Sequence, residues 1–233
     1  MEKLVYVAWG EPGEAGQALG ARFRSELAPR LIGLGAHHLQ MNLADEHVAE
    51  AQKVRLSHTD PPVAGTVSFW MDCADERGTL EGTLVAASSR LAGYLVAESV
   101  PLRDAEHPAP DGERRWGTNL VALIEKPERL SFDAWIEHWH GHHREVALET
   151  QATYHYVRNV VLRSLTPDAP PWRGIVEEVF ADDAVTDPMK WYAAGDDPER
   201  LDRNRGAMIE SVQAFLDIGR VESHPTSRYV WEG

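Results

Sequence analysis

TYHYVRNV, residues Thr153–Val160, repeats the pattern of an earlier run in the same chain, AHHLQMNL, residues Ala36–Leu43. Aligned without gaps, His155 stands over His38 and Asn159 over Asn42. A strand turns successive side chains to opposite faces, so Tyr154, Tyr156 and Arg158 share one face and His155, Val157 and Asn159 the other. In the earlier run Leu39, Met41 and Leu43 fall in register with Tyr156, Arg158 and Val160. That row is the more apolar of the two, so it is expected to pack against helices. His155 and Asn159 are left to face the interior of the sheet structure.

The match extends outward in both directions. Strand patterns open each half at Lys3–Trp9 and Thr118–Ile124, and helical patterns follow at Gly13–Leu34 and Ser131–Gln151. After the quoted strands come Ala64–Met71 and Arg173–Phe180, with Gly65 over Gly174. A further helix and a last strand, Gly93–Val100 and Ser227–Trp231, close the halves. This is βαββαβ twice. One such sheet covers a single face with its own helices, and a second copy in the chain can cover the other. The expected fold is therefore α+β: two tandem ferredoxin-like repeats, 1–102 and 117–233, forming an intrachain pseudo-dimeric α+β barrel. The linker is 103–116, where Pro, Gly and charge interrupt the apolar period.

Bulk properties narrow the function. The net charge of −14 argues against nucleic acid or an anionic membrane as partner. No run approaches the ~18 apolar residues of a membrane span, and the N-terminus lacks the pattern of a signal peptide. A single cysteine, Cys73, leaves no internal disulfide and no multi-cysteine zinc site, so a cytoplasmic address is expected. The phosphate-cradling and nucleophile-elbow motifs of nucleotide enzymes and serine hydrolases are missing as well.

The chemistry concentrates in SFDAWIEHWHGHHREVALET, residues 131–150, which holds four histidines. Ser131 suits an N-cap, and the apolar residues Phe132, Trp135, Ile136, Trp139, Val146 and Ala147 recur at steps of three or four with one gap. His143 fills that gap, so it lies on the buried stripe. His140 sits at the stripe's edge. His138 and His142 share the polar face with Glu145 and Glu149; their spacing could chelate a metal, but no third ligand is evident, and no metal site is assigned. His143 reads either as a core histidine satisfied by a hydrogen bond or as a base, since burial would hold its imidazole neutral near pH 7. Tyr154, Tyr156 and Arg158, on the strand face toward this helix, could polarise an oxygen or could serve the strand alone.

The run SFDAWIEHWHGHHREVAL resembles the helix signature of EthD-domain proteins, in which an aromatic residue is followed by a Trp four positions on and a His four further on. Trp135, Trp139 and His143 fit that spacing. The likeness continues through YHYVRNVVLR and DDPERLDRNRGAMIESVQAFLD and covers roughly Gly117 to Trp231. In the first half, aligning the helices puts Arg22 at the Trp139 position and Glu26 at the His143 position, so this copy lacks the histidine and is expected to be a scaffold. The resemblance implies a dimeric α+β-barrel protein of a superfamily that includes cofactor-independent cyclases, dehydratases, isomerases and monooxygenases.

The leading expectation is a lyase, isomerase or cyclase, without a cofactor, acting on a hydrophobic aromatic or polycyclic carbonyl compound. His143 would be the base, with Tyr156 and Tyr154 polarising the oxygen. Trp135, Trp139, His140, Arg158 and His155 would contact the substrate. A ligand carrier of an oxidative pathway and a haem or metal protein are the alternatives, and a homodimer of the fused chain is possible.

Overall fold

The computed structural model describes residues 1–11, 13–14 and 16–232. Ala15, within the first expected helix, and Gly233 lie outside the described residues. Eight strands close into one antiparallel barrel: β1 (Glu2–Trp9), β2 (His37–Leu43), β3 (Gly65–Met71), β4 (Arg90–Leu102), β5 (Thr118–Ile124), β6 (His155–Ser164), β7 (Gly174–Phe180) and β8 (Glu222–Trp231). Around the barrel the order is β1-β3-β2-β8-β5-β7-β6-β4. Within the first half that order is β4-β1-β3-β2 and within the second β8-β5-β7-β6, the same arrangement twice. The halves join where β2 pairs β8 and β4 pairs β6. The expected linker has neither helix nor strand, although Arg114 bridges to Tyr229.

Helices cover the outside. α1 runs through three consecutive segments, Gly16–Arg22, the π-helical Phe23–Leu27 and Ala28–Gly33. α2 is Gly78–Ala87. α3 likewise has three segments, Phe132–Glu137, the π-helical His138–His143 and Arg144–Thr150. α4 is Pro198–Phe215. The Ser131 hydroxyl caps α3 by accepting the Ala134 N–H at 3.1 Å, and Asp197 caps α4 by accepting those of Glu199 and Arg200.

The π segments explain which residues are buried. Leu19, Phe23, Leu27 and Leu31 in α1, and Trp135, Trp139, His143 and Ala147 in α3, all lie in the interior at steps of four. In an ideal α-helix each step of four overshoots one face by roughly 40°, so a row of four would wander off the core. The wider π turn, bonded i to i+5, brings each row back. This corrects the expected alignment of the halves. The buried partner of Trp139 is Phe23, not Arg22, and that of His143 is Leu27, not Glu26.

The expected strand faces hold. Leu39, Met41 and Leu43 pack beneath the first-half helices with Phe23 and Leu27. Tyr156, Val160 and Val176 pack beneath the second-half helices with Trp135, Trp139 and Phe215. The barrel interior is apolar at one end, where Val5, Val7, Trp9, Tyr94, Leu123 and Ile175 meet Trp172. The other end is charged.

Gly174 shows how tightly α3 sits on the sheet. A Cβ there would stand 2.6 Å from Trp139 and 2.8 Å from Ile124. Gly174→Ala is expected to lower stability by about 1–3 kcal/mol in urea unfolding. Gly206→Ala, mid-helix in α4 with open space around it, should instead raise it by about 0.5–1 kcal/mol.

Candidate functional site

α3 and α4 lie side by side over the sheet of the second half. The Trp135 and Trp139 rings are 4.9 Å apart, and Phe215 of α4 stacks on Trp139 at 6.5 Å and meets His143 at a tilt at 4.7 Å. His143 Nδ1 shares a hydrogen bond of 3.0 Å with the Ser211 hydroxyl of α4. His138 donates from Nε2 to the Ser211 carbonyl at 3.0 Å. Two of the four histidines therefore bind one residue of the neighbouring helix. Among the described residues, no group of three or more His, Cys, Asp or Glu side chains is placed to hold a metal ion.

Burial sets the protonation of this region. His143 is pushed down to about 4 by desolvation, and then by the nearby charges of His138, His142 and Arg158. His140 is also pushed down to about 4, by burial and by Arg158, and its Nε2 is buried without a partner. Both rings are neutral at pH 7. Arg158 donates from Nε to Ser99 Oγ at 3.2 Å and from Nη1 to the His140 carbonyl at 3.3 Å. Its guanidinium lies 5.7 Å from the Tyr156 ring and forms no ion pair among the described residues.

The sheet adds a residue that was not singled out from sequence. Glu178 stands directly opposite Tyr156 in the β6–β7 register. Cross-strand partners on one face have Cβ atoms roughly 4.5–5.5 Å apart. Glu178 is half-buried, and desolvation pushes its carboxyl up to about 7. No hydrogen bond reaches that carboxyl among the described residues. Burial, and then the Glu178 charge, push the Tyr156 phenol well above its ordinary value, so it keeps its proton.

The residues expected from sequence thus separate. Trp135, Trp139, His140, His143, Tyr156 and Arg158 gather between the helices and the sheet. Tyr154 does not join them: β6 begins only at His155, and Tyr154 packs edge-on against Trp116 at 4.6 Å and His107 at 5.6 Å. His155 lies inside the barrel, on the opposite face of the sheet, where a cavity of about 500 Å³ opens at the charged end. Another cavity, of about 550 Å³, is lined by Asp45, Gln52, Asp60 and the loop from Gly10, away from every residue expected from sequence.

Residues 127–204 match the model of the EthD domain. The EthD segment spans the turn before α3, all of β6 and β7, and the start of α4, so it contains Trp135, Trp139, His143, Tyr156 and Glu178. Along its full length the chain is similar in fold to an anthrone oxidase-like protein, at 12% identity and a TM-score of 0.54, covering 100% of this chain and 93% of that one. A chlorite dismutase variant from Candidatus Nitrospira defluvii aligns at 11% identity and a TM-score of 0.47, over 97% of this chain and 91% of that one. No curated protein matches the chain. No helix is long and apolar enough to cross a membrane, among the described residues.

Glu178 had a signal in the sequence. RGIVEEVF places two adjacent acids in an otherwise apolar strand, which sends one to each face.

The burial of His143 can be tested through its linkage to stability. An imidazole whose folded pKa lies below its unfolded one takes up a proton on unfolding between the two values. Stability present above about pH 6.5 is then lost as pH falls toward 4. His143→Leu, which copies Leu27 of the first half, should flatten the slope of unfolding free energy against pH in that window by about one proton. An unchanged slope would contradict a buried neutral His143.

Proposed function

We propose that the chain is an enzyme of the lyase or isomerase type, moving a proton on a hydrophobic carbonyl compound held between the second-half helices and sheet. In this reading Glu178 takes the proton from the carbon beside the carbonyl. The Tyr156 hydroxyl donates a hydrogen bond to the carbonyl oxygen as charge builds there. The proton then returns from Glu178 to another carbon, or a group leaves from the neighbouring one. The observation that supports this most is the desolvated Glu178 carboxyl, without a hydrogen-bond partner among the described residues, opposite a protonated phenol. A general base works best with a pKa near the operating pH, and Glu178 at about 7 meets that condition. His143, at about 4, is a weak base at neutral pH; its part is to hold α4 against α3 through Ser211. The indoles of Trp135 and Trp139 suit a flat apolar substrate. The proposal needs no cofactor and fits a cytoplasmic protein. It also takes the two halves as tandem ferredoxin-like repeats, 1–102 and 117–233, with the first a scaffold whose Leu27 replaces the histidine.

The test is solvent-hydrogen exchange. Enolisable aromatic ketones are incubated with the protein in deuterated buffer, and loss of the carbon-bound proton is followed by NMR. Exchange should rise as pH passes through about 7, where Glu178 ionises. Glu178→Gln should lower the rate at least ~100-fold, and Tyr156→Phe should lower it by a smaller factor. Exchange that survives Glu178→Gln but disappears in His143→Leu would restore the histidine as the base. Ligand binding with no exchange in any ketone tried would make the chain a carrier.

A further inference from the structure

The charged end of the barrel interior has no part in that chemistry, and its hydrogen bonding does not balance. Arg228, on β8, is 8% exposed, and its side chain makes no hydrogen bond or ion pair among the described residues. Its Nε is enclosed without a partner. Beside it, His155 is 5% exposed and accepts the Asp104 N–H at Nδ1, at 3.2 Å. The neutral ring must then keep its proton on Nε2, which has no partner either. Both residues line the 500 Å³ cavity.

The acids nearby are already engaged. Glu177, on the cavity's inner side, accepts from the Gln40 amide, from Asn42 at 3.1 Å and from Asn159 at 3.2 Å. Glu98 pairs with Lys3. Asp104 accepts the N–H groups of Glu106 at 2.9 Å and His107 at 3.2 Å, and its carboxylate also meets the His107 ring. At the rim, Glu232 pairs with Arg115. What remains is a desolvated guanidinium whose Nε has no partner, a costly arrangement unless something occupies it, beside an imidazole N–H that faces the cavity.

We propose that this end of the barrel binds a small organic carboxylate, separately from the helix-side site. Its carboxylate takes the Arg228 guanidinium and the His155 Nε2–H, and its carbon skeleton rests on Val100, Val157 and Trp70. A planar, singly charged acceptor matches the guanidinium fork. A doubly charged inorganic ion would meet the ionised Glu177 nearby, and it would leave most of the cavity unfilled, since pockets of this volume hold ring-sized ligands.

Isothermal titration of the full chain with benzoate, inorganic phosphate and benzyl alcohol tests this. Benzoate should bind, with benzyl alcohol and phosphate at least tenfold weaker. Arg228→Gln should weaken benzoate at least tenfold. Arg228→Lys keeps the buried positive charge that faces Glu177, should fold even if the first variant does not, and should still weaken benzoate by losing the fork. Glu178→Gln should bind benzoate as the wild type does, which separates this site from the helix-side one. The proposal is overturned by absence of benzoate binding up to about 10 mM. Phosphate binding as tightly as benzoate overturns it too, as does unchanged affinity in a folded Arg228 variant.

Discussion

Closure of the sheet is the constraint on which everything else in this molecule depends. The β2–β8 and β4–β6 ladders remove every free edge and turn one face of all eight strands inward. After closure, each strand residue has only two destinations, the helices or the barrel interior. A shift of one position would exchange them throughout a strand. Adjacent residues can therefore serve unrelated environments. Glu177 is ionised inside the barrel, held down by Lys3, its amide partners and Arg228 against the cost of burial, while Glu178 beneath α3 is pushed up to about 7. The one strand supplies a structural acid to one face and a titrating acid to the other.

The helix layer is adjusted to this sheet by its π turns. Without them the row Trp135, Trp139, His143 and Ala147 could not stay on one face. With them, Trp139 presses on Gly174 and Phe215 bridges Trp139 to His143. The first half keeps the same row in Leu19, Phe23, Leu27 and Leu31, all apolar. That row needs no titratable group, whereas the second-half row keeps the His143 imidazole. Beneath the helices the first half pairs its buried phenol, Tyr6, with Glu81 at 3.0 Å, while Glu178 beside Tyr156 has no hydrogen-bond partner among the described residues. The proposed chemistry uses the second-half pair because its carboxyl is not already held by the phenol.

Much of this was legible in the sequence because it follows from local periodicity. The strand faces were readable from alternation in TYHYVRNV and AHHLQMNL, and the burial of His143 from the gap it fills. The phase between the halves was off by one residue, because a 3.6-residue period does not anticipate a π turn. The partner of His143 was not readable, since Ser211 lies on α4 and reaches it only through helix packing. Alternation alone puts Tyr154 on the helix-facing row, but β6 starts one residue later and leaves it outside. The polar end of the barrel is not legible in the sequence for a different reason. Lys3 and Arg228 sit in strands distant in sequence, and only closure brings them to the same end.

The central claim is that Glu178 titrates near neutrality beside Tyr156. It can be measured directly by following the side-chain carboxyl carbon of Glu178 in a ¹³C-glutamate-labelled protein, with Glu178→Gln assigning the resonance. A midpoint near pH 7 is predicted. A midpoint in the ordinary glutamate range, about 4.3, would contradict the account.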